Sequence, residues 1–258
     1  MWKDAKIIYN KVNSIPPVSE IPDGLTKDLY PYYLDKPYLN EYGSTGGGGN
    51  TSHDYVEIGG IKWATMNLGA TAVTDYGKYY AWGDVSGYTA DQVTGGTKDF
   101  DEEDYVFGPI DWNSPPDYSI SKYNTQDKKT TLDPEDDAVS KEWGGNWRMP
   151  TPTEWQTLIS ATNVTWSYNY QEMGVGGLVC TDKTDSSKVL FLPAAGLCSS
   201  GSVSNTEYYG RYWSCLLENR EVRSDNAFFM GFDEDGGLAS DGSTGRYLGL
   251  SIRGVLDE

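Results

Sequence analysis

The sequence predicts an α+β domain built of short strands, one or two helices and long ordered loops. Three observations lead there. The 258-residue chain carries 30 Gly and 12 Pro, a density of turn formers that suits many short elements better than a helical bundle. It also holds 20 Tyr, 9 Trp and 6 Phe, and such rings build an adequate core because each buries a large area while its polar tip finds a partner. Finally, a single well-marked helical segment, Thr153 to Ala161, stands among many short apolar runs with strand character.

Taken in order, residues 1–42 are rich in Pro and Tyr, as in Ile15-Pro16-Pro17 and Tyr30-Pro31-Tyr32-Tyr33. They are too few to bury a core alone. Trp2 to Val12 fits a short amphipathic helix or a strand equally well. The whole stretch reads as an attachment or oligomerisation segment, with a free tail as the alternative. Residues 43–53 form a linker, since Gly43-Ser44-Thr45-Gly46-Gly47-Gly48-Gly49 has the composition of a flexible tether. The ligand-binding domain is expected over 54–258.

That domain opens with Tyr55–Ile58 and Ile61–Ala64, two alternating runs around Gly59-Gly60, which signals a hairpin. Lys78 to Trp82 is a strand candidate. Residues 84–140 are polar, with Asp101-Glu102-Glu103-Asp104 and Pro134-Glu135-Asp136-Asp137, and read as a long acidic loop insertion. The helix follows: Thr151 suits the N-cap, Pro152 the first position and Glu154 the first turn, while Trp155, Leu158 and Ile159 share a face. Strands are then expected at Val189–Leu192, Tyr212–Cys215, Ala227–Phe232 and Leu248–Arg253. Asp233-Glu234-Asp235-Gly236-Gly237 reads as an acidic turn. No repeat of fixed period is visible, which excludes a solenoid or propeller.

Function classes narrow by subtraction. A net charge of −18 opposes nucleic acid and anionic membrane surfaces, both of which call for clustered Lys and Arg. No run approaches the length of a membrane span. Met1 to Lys6 lacks the apolar region and cleavage site of a signal peptide, so export by a cleaved leader is not expected if Met1 is the natural start. Cys180, Cys198 and Cys215 are odd in number; one bridge plus a thiol, or three reduced thiols, both stand open. The single histidine, His53, falls in the linker, which leaves histidine-based acid–base, triad or metal chemistry without a basis. No Gly-rich loop carries the Lys-Ser/Thr of a phosphate cradle. A paired-carboxylate hydrolase stays open on composition, but the acidic runs read as solvated loops.

Five stretches then carry a resemblance: Trp63-Ala64-Thr65-Met66-Asn67-Leu68-Gly69-Ala70 followed by Tyr79-Tyr80-Ala81-Trp82-Gly83; Trp147-Arg148-Met149-Pro150-Thr151-Pro152-Thr153-Glu154-Trp155; Leu192-Pro193-Ala194-Ala195-Gly196; Tyr212-Trp213-Ser214; and Gly249-Leu250-Ser251-Ile252-Arg253. In this order they resemble the Fibrobacter succinogenes major paralogous domain across residues 54 to 256. That family is similar to the C-type-lectin-like superfamily, which includes formylglycine-generating enzymes and the variable proteins of diversity-generating retroelements. The resemblance implies a C-type-lectin-like fold whose last strand, Ser251-Ile252-Arg253, returns beside the N-terminal hairpin. It also implies structural roles for Thr151, Trp155 and an Arg148 paired with carboxylates or carbonyls. The sugar-lectin calcium motifs are missing, Trp112-Asn113-Ser114 being a weak echo, so no metal or other cofactor is expected. Formylglycine chemistry would need reactive cysteines near the end of the domain, and Cys198 and Cys215 read instead as buried packing thiols.

The resemblance further implies that ligands are read by loops of the last third, with Trp213, Ala227, Phe229 and Phe232 as core beneath them. Two irregular segments, 216–226 and 238–247, and the residues before the first of these supply the candidates: Tyr208, Tyr209, Arg211, Leu216, Glu218, Asn219, Arg220, Arg223, Asp225, Ser240, Asp241, Ser243 and Arg246. Tyr and Arg suit recognition, giving large contact area with a polar handle. The resulting expectation is a non-enzymatic adhesin that binds a host cell-surface receptor, protein or glycan. A phage tail protein diversified by a retroelement in its C-terminal region fits best, attached to the virion through residues 1–42, with homo-oligomerisation through that segment as a further expectation. A bacterial cell-surface or fimbrial adhesin is the alternative, and a formylglycine-type enzyme the third reading.

Overall fold

The computed structural model describes residues 53–218 and 224–258. The expected attachment segment and nearly all of the linker lie outside these residues, as do Asn219, Arg220 and Arg223. Among the described residues the fold is α+β, with three α-helices and twelve short strands in small antiparallel sheets.

The hairpin forms as its alternation predicts. β1 (Tyr55–Ile58) and β2 (Ile61–Ala64) pair with Ile58 opposite Ile61, and Gly59 and Gly60 take positive φ at the turn. The next chain stretch departs from expectation. Lys78 to Trp82 makes single bridges, Tyr79 to Tyr88 and Tyr80 to Leu250, and no ladder. Tyr79, Tyr80, Ala81 and Trp82 are all buried, so the chain threads the core and shares its backbone bonds among several partners.

The acidic insertion is more than a solvated loop. It contributes Phe100, Tyr105, Phe107, Ile110, Tyr118, Ile120, Tyr123 and Leu132 to one hydrophobic core while its carboxylates face outward or cap turns. It also holds two short helices, α1 (Ala90–Thr94), capped by Thr89, near its start, and α2 (Ala138–Trp143), capped by Asp137, at its end. His53, assigned to the linker, stacks on Trp143 with ring centroids 4.2 Å apart.

After β3 (Trp147–Arg148) comes α3 (Pro152–Ala161), built as its sequence demands. The Thr151 hydroxyl accepts from the Glu154 amide at 3.2 Å, and the Glu154 carboxylate accepts from the Thr151 amide at 2.7 Å, a complete capping box. Arg148 clamps this corner, donating to Glu154 at 2.6 and 2.9 Å and to Asp257 at 2.7 and 2.8 Å. Trp155 and Leu158 are buried; with Trp63, Tyr212, Met230 and Phe232 they form a second core.

β4 (Thr162–Ser167), β5 (Gly177–Asp182) and β6 (Val189–Pro193) make one meander, and β7 (Leu197–Ser199) and β8 (Ser202–Ser204) a small hairpin. β9 (Tyr209–Leu217), β10 (Asn226–Asp233) and β11 (Leu238–Gly245) make a three-stranded sheet. β12 (Val255–Leu256) closes the domain, inserted between β2 and β3. Two expectations shift here. Leu248–Arg253 forms only single bridges, at Gly249, Leu250 and Ser251, and the strand beside the N-terminal hairpin is Val255–Leu256. Arg253 is instead fully buried, donating to Asn67 at 2.7 Å and to the carbonyls of Ala64 and Phe191 at 3.0 Å. Segment 238–247, expected as irregular loop, is mostly β11; Ser, Gly and Ala hide its strand character, and pairing with β10 imposes it.

Candidate functional site

The sheet of β9, β10 and β11 carries most of the described candidate residues, and its two faces divide them. Toward α3 it is core. Tyr212, Met230 and Phe232 pack there, the Tyr212 hydroxyl donates to the Pro193 carbonyl at 2.7 Å, and Ser240 donates to Gln156 on the helix at 2.8 Å. Farther along β9, Trp213 turns into the first core with its indole N–H on the Tyr80 carbonyl at 2.7 Å. Ala227 and Phe232 are buried as expected, whereas Phe229 is only half-buried.

That half-burial gives the opposite face its character. Arg211 stands opposite Gly231, and Phe229 stands opposite Gly242. The Phe229 ring lies so close to both glycines that a Cβ at either would meet it at 2.7 Å. Glycine inside a strand marks close approach, and here it makes the floor on which an aromatic ring rests. The Arg211 guanidinium carbon sits 5.1 Å from the centre of that ring, a cation–π contact. Burial lowers the Arg211 pKa from its ordinary value, with Tyr209 opposing the shift. Tyr208 and Tyr209 are exposed, by 52% and 39%, at the start of the same strand, and Leu238 is exposed at the start of β11. Asp241 is exposed and Ser243 half-buried along β11.

The structure thus places Tyr209 and Arg211 two residues apart on β9, with Tyr208 exposed just before the strand. It adds Phe229, which the sequence assigns to the core and which packs half-buried against the edge of the first core. The pair of glycines in otherwise paired strands was the signal for it. Other candidates sit elsewhere. Glu218, Asp225 and Ser240 are buried, and Leu216 is half-buried against the first core. These four are corrections to the expectation of exposed loops, since each falls where the sheet meets the helix or the insertion.

Arg246 is the largest correction. It is fully buried among Trp82, Tyr105, Phe107 and Tyr123, whose ring centres lie 4.7 to 5.9 Å from its guanidinium carbon. It donates to the Tyr105 hydroxyl at 2.9 Å and to the carbonyls of Tyr123, Ser224 and Lys122 at 3.0, 2.9 and 3.1 Å. A delocalised, weakly hydrated guanidinium tolerates such a cage better than an ammonium would. Its work is to tie the acidic insertion to the end of β11. Burial pushes the Tyr105 hydroxyl up to about 12, against the pull of Arg246.

The remaining reactive groups lie apart from this face. Cys180, Cys198 and Cys215 are free and buried, and burial pushes each thiol up to about 12. The acidic run Asp233–Gly237 is the turn between β10 and β11, its Asp233 carboxylate accepting from the Gly237 amide at 2.7 Å. No group of three His, Cys, Asp or Glu side chains among the described residues is placed to hold a metal ion. The half-buried Arg211–Phe229 contact, with the exposed phenols of Tyr208 and Tyr209 at the start of β9, is the equipment of noncovalent recognition. The chain matches no family model, no curated protein and no solved structure.

Proposed function

We propose that the protein is a non-enzymatic receptor-binding adhesin with a C-type-lectin-like domain, and that Tyr208, Tyr209, Arg211 and Phe229 are its described contact residues. The observation that carries this reading is the Arg211–Phe229 contact on β9 and β10, with Tyr208 and Tyr209 exposed where β9 begins, on a sheet anchored from behind by α3. A rigid scaffold that presents aromatic and guanidinium groups is what a binding site requires. The order of elements supports the C-type-lectin-like assignment, in that a short last strand, Val255–Leu256, pairs with the opening hairpin. The formylglycine-type alternative loses ground, because reactive cysteines need lowered pKa values and these thiols are pushed the other way.

A phage tail origin and diversification by a retroelement belong to the same proposal. Neighbouring DNA tests both: tail genes with a near-copy of the codons for residues 205 to 255 support them, whereas fimbrial genes favour the cell-surface adhesin. Adhesion of the full chain to bacterial cells tests the face itself. The double variant Tyr208→Ala/Tyr209→Ala should lose adhesion while its melting temperature holds. Unchanged adhesion would place the receptor contact elsewhere.

A further inference from the structure

Four of the arginines fall among the described residues, and three have their charge answered. Arg148 pairs with Glu154 and Asp257, Arg246 meets four oxygens inside an aromatic cage, and Arg253 meets Asn67 and two carbonyls. Arg211 differs. Among the described residues its side chain has a ring contact with Phe229 but no hydrogen bond and no ion pair. A guanidinium has five N–H donors in a planar fork, and with no acceptor among the described residues those of Arg211 are available to an incoming one.

We propose that Arg211, over Phe229 on its Gly231 and Gly242 floor, binds the carboxylate of an acidic sugar, a uronic or sialic acid residue of a surface glycan. The inference rests on the receptor-binding reading of this face. A planar fork favours a bidentate carboxylate over a hydroxyl or a lone carbonyl. Burial strengthens that preference, since the charge is already partly stripped of water.

Two features favour a sugar over an extended acidic peptide. Strand addition along β9 is closed off, because Gly210 bridges to Gly196 and Tyr212 to Ser251 on its outer side. The half-buried Phe229 ring under Arg211 and the exposed phenols of Tyr208 and Tyr209 at the start of the same strand supply aromatic surface and hydroxyls, the chemistry that suits a compact ring with hydroxyls of its own. The net charge of −18 adds a limit: a polyanion would be repelled, whereas a single carboxylate at contact is dominated by the nearest cation.

Titration of the full chain by saturation-transfer NMR tests this, using methyl glucuronide, its uncharged amide, methyl glucoside and N-acetylglutamate amide. Methyl glucuronide should bind. Affinity should fall about tenfold or more for the amide and for the Arg211→Gln protein, with Arg211→Lys in between. Thermal melts of both variants check that the fold is intact. Equal binding of acid and amide overturns the proposal, as does an unaffected Arg211→Gln protein or the absence of glucuronide binding. Stronger binding of the glutamate derivative overturns the sugar assignment. Cell adhesion separates this from the broader reading. If Tyr208→Ala/Tyr209→Ala abolishes adhesion but Arg211→Gln does not, the face stands and the carboxylate subsite falls. If glucuronide binds through Arg211 while the tyrosine variant adheres normally, the subsite stands and the receptor face falls.

Discussion

Arg246 and Arg211 share a residue type, one in the turn just past β11 and one in β9, and their environments set them to different work. Arg246 spends its donors on four fixed oxygens, so replacing it removes both packing and hydrogen bonds. Arg246→Met should destabilise the domain by about 3 kcal/mol or more, since each abandoned buried carbonyl costs on the order of 1–3 kcal/mol. Urea unfolding measures it, and a change below 0.5 kcal/mol, the scale of an ordinary surface substitution, would contradict the caged role. The cysteines make a second test at this scale. With thiols buried and raised to about 12, all three should resist iodoacetamide in the native protein and react promptly in denaturant. Rapid native labelling of Cys198 or Cys215 would revive the enzyme reading.

Among the elements, α3 is the one whose formation the sequence explains most fully, and its cap carries a pH signature. Burial pushes the Glu154 carboxyl up, but hydrogen bonds from Arg148 and from Thr151 outweigh it, leaving the pKa below its ordinary 4.5. A depressed folded-state pKa means stability that is present above 4.5 and is lost as pH falls through the lower folded value. The wild type should therefore lose more stability than Glu154→Gln between about pH 5 and pH 3. At neutral pH, Thr151→Ala should cost about 1 kcal/mol. Parallel pH profiles for wild type and Glu154→Gln would remove the cap from the explanation. β11 is the contrasting element. Its Leu-Ala-Ser-Asp-Gly-Ser-Thr-Gly run has little strand propensity of its own, and register with β10 holds it, including the bulge between Phe229 and Gly231.

For the molecule as a whole, two cores span the described domain, one under the acidic insertion and one between α3 and the β9–β10–β11 sheet. Deleting residues 1–42 should leave a cooperative fold with near-unchanged near-ultraviolet circular dichroism; loss of that signal would mean the domain needs its N-terminal segment. Millimolar calcium should not move the melting temperature, because no carboxylate cluster among the described residues is arranged to take it. A rise reversed by a chelator would refute this.

What the sequence determined by itself is what short-range chemistry dictates: the Gly-Gly hairpin, the Thr151–Glu154 cap with Arg148 beside it, the strands bearing Trp213 and Phe232, and the α+β class. Each rests on neighbours a few residues apart, or on periodicity that one segment displays alone. The tertiary structure decided which polar side chains face water. Arg246, Asp225 and Ser240 sit in segments that look like exposed loops, yet they are buried because the insertion and α3, about a hundred residues away in the chain, close over them. Phe229 lies at the edge of the first core, half-buried rather than enclosed, because Gly242 opposite it and Gly231 two positions along its own strand leave room for its ring. Burial depends on what folds back over a residue, and a segment's own pattern does not record that when the covering partner is a long irregular loop.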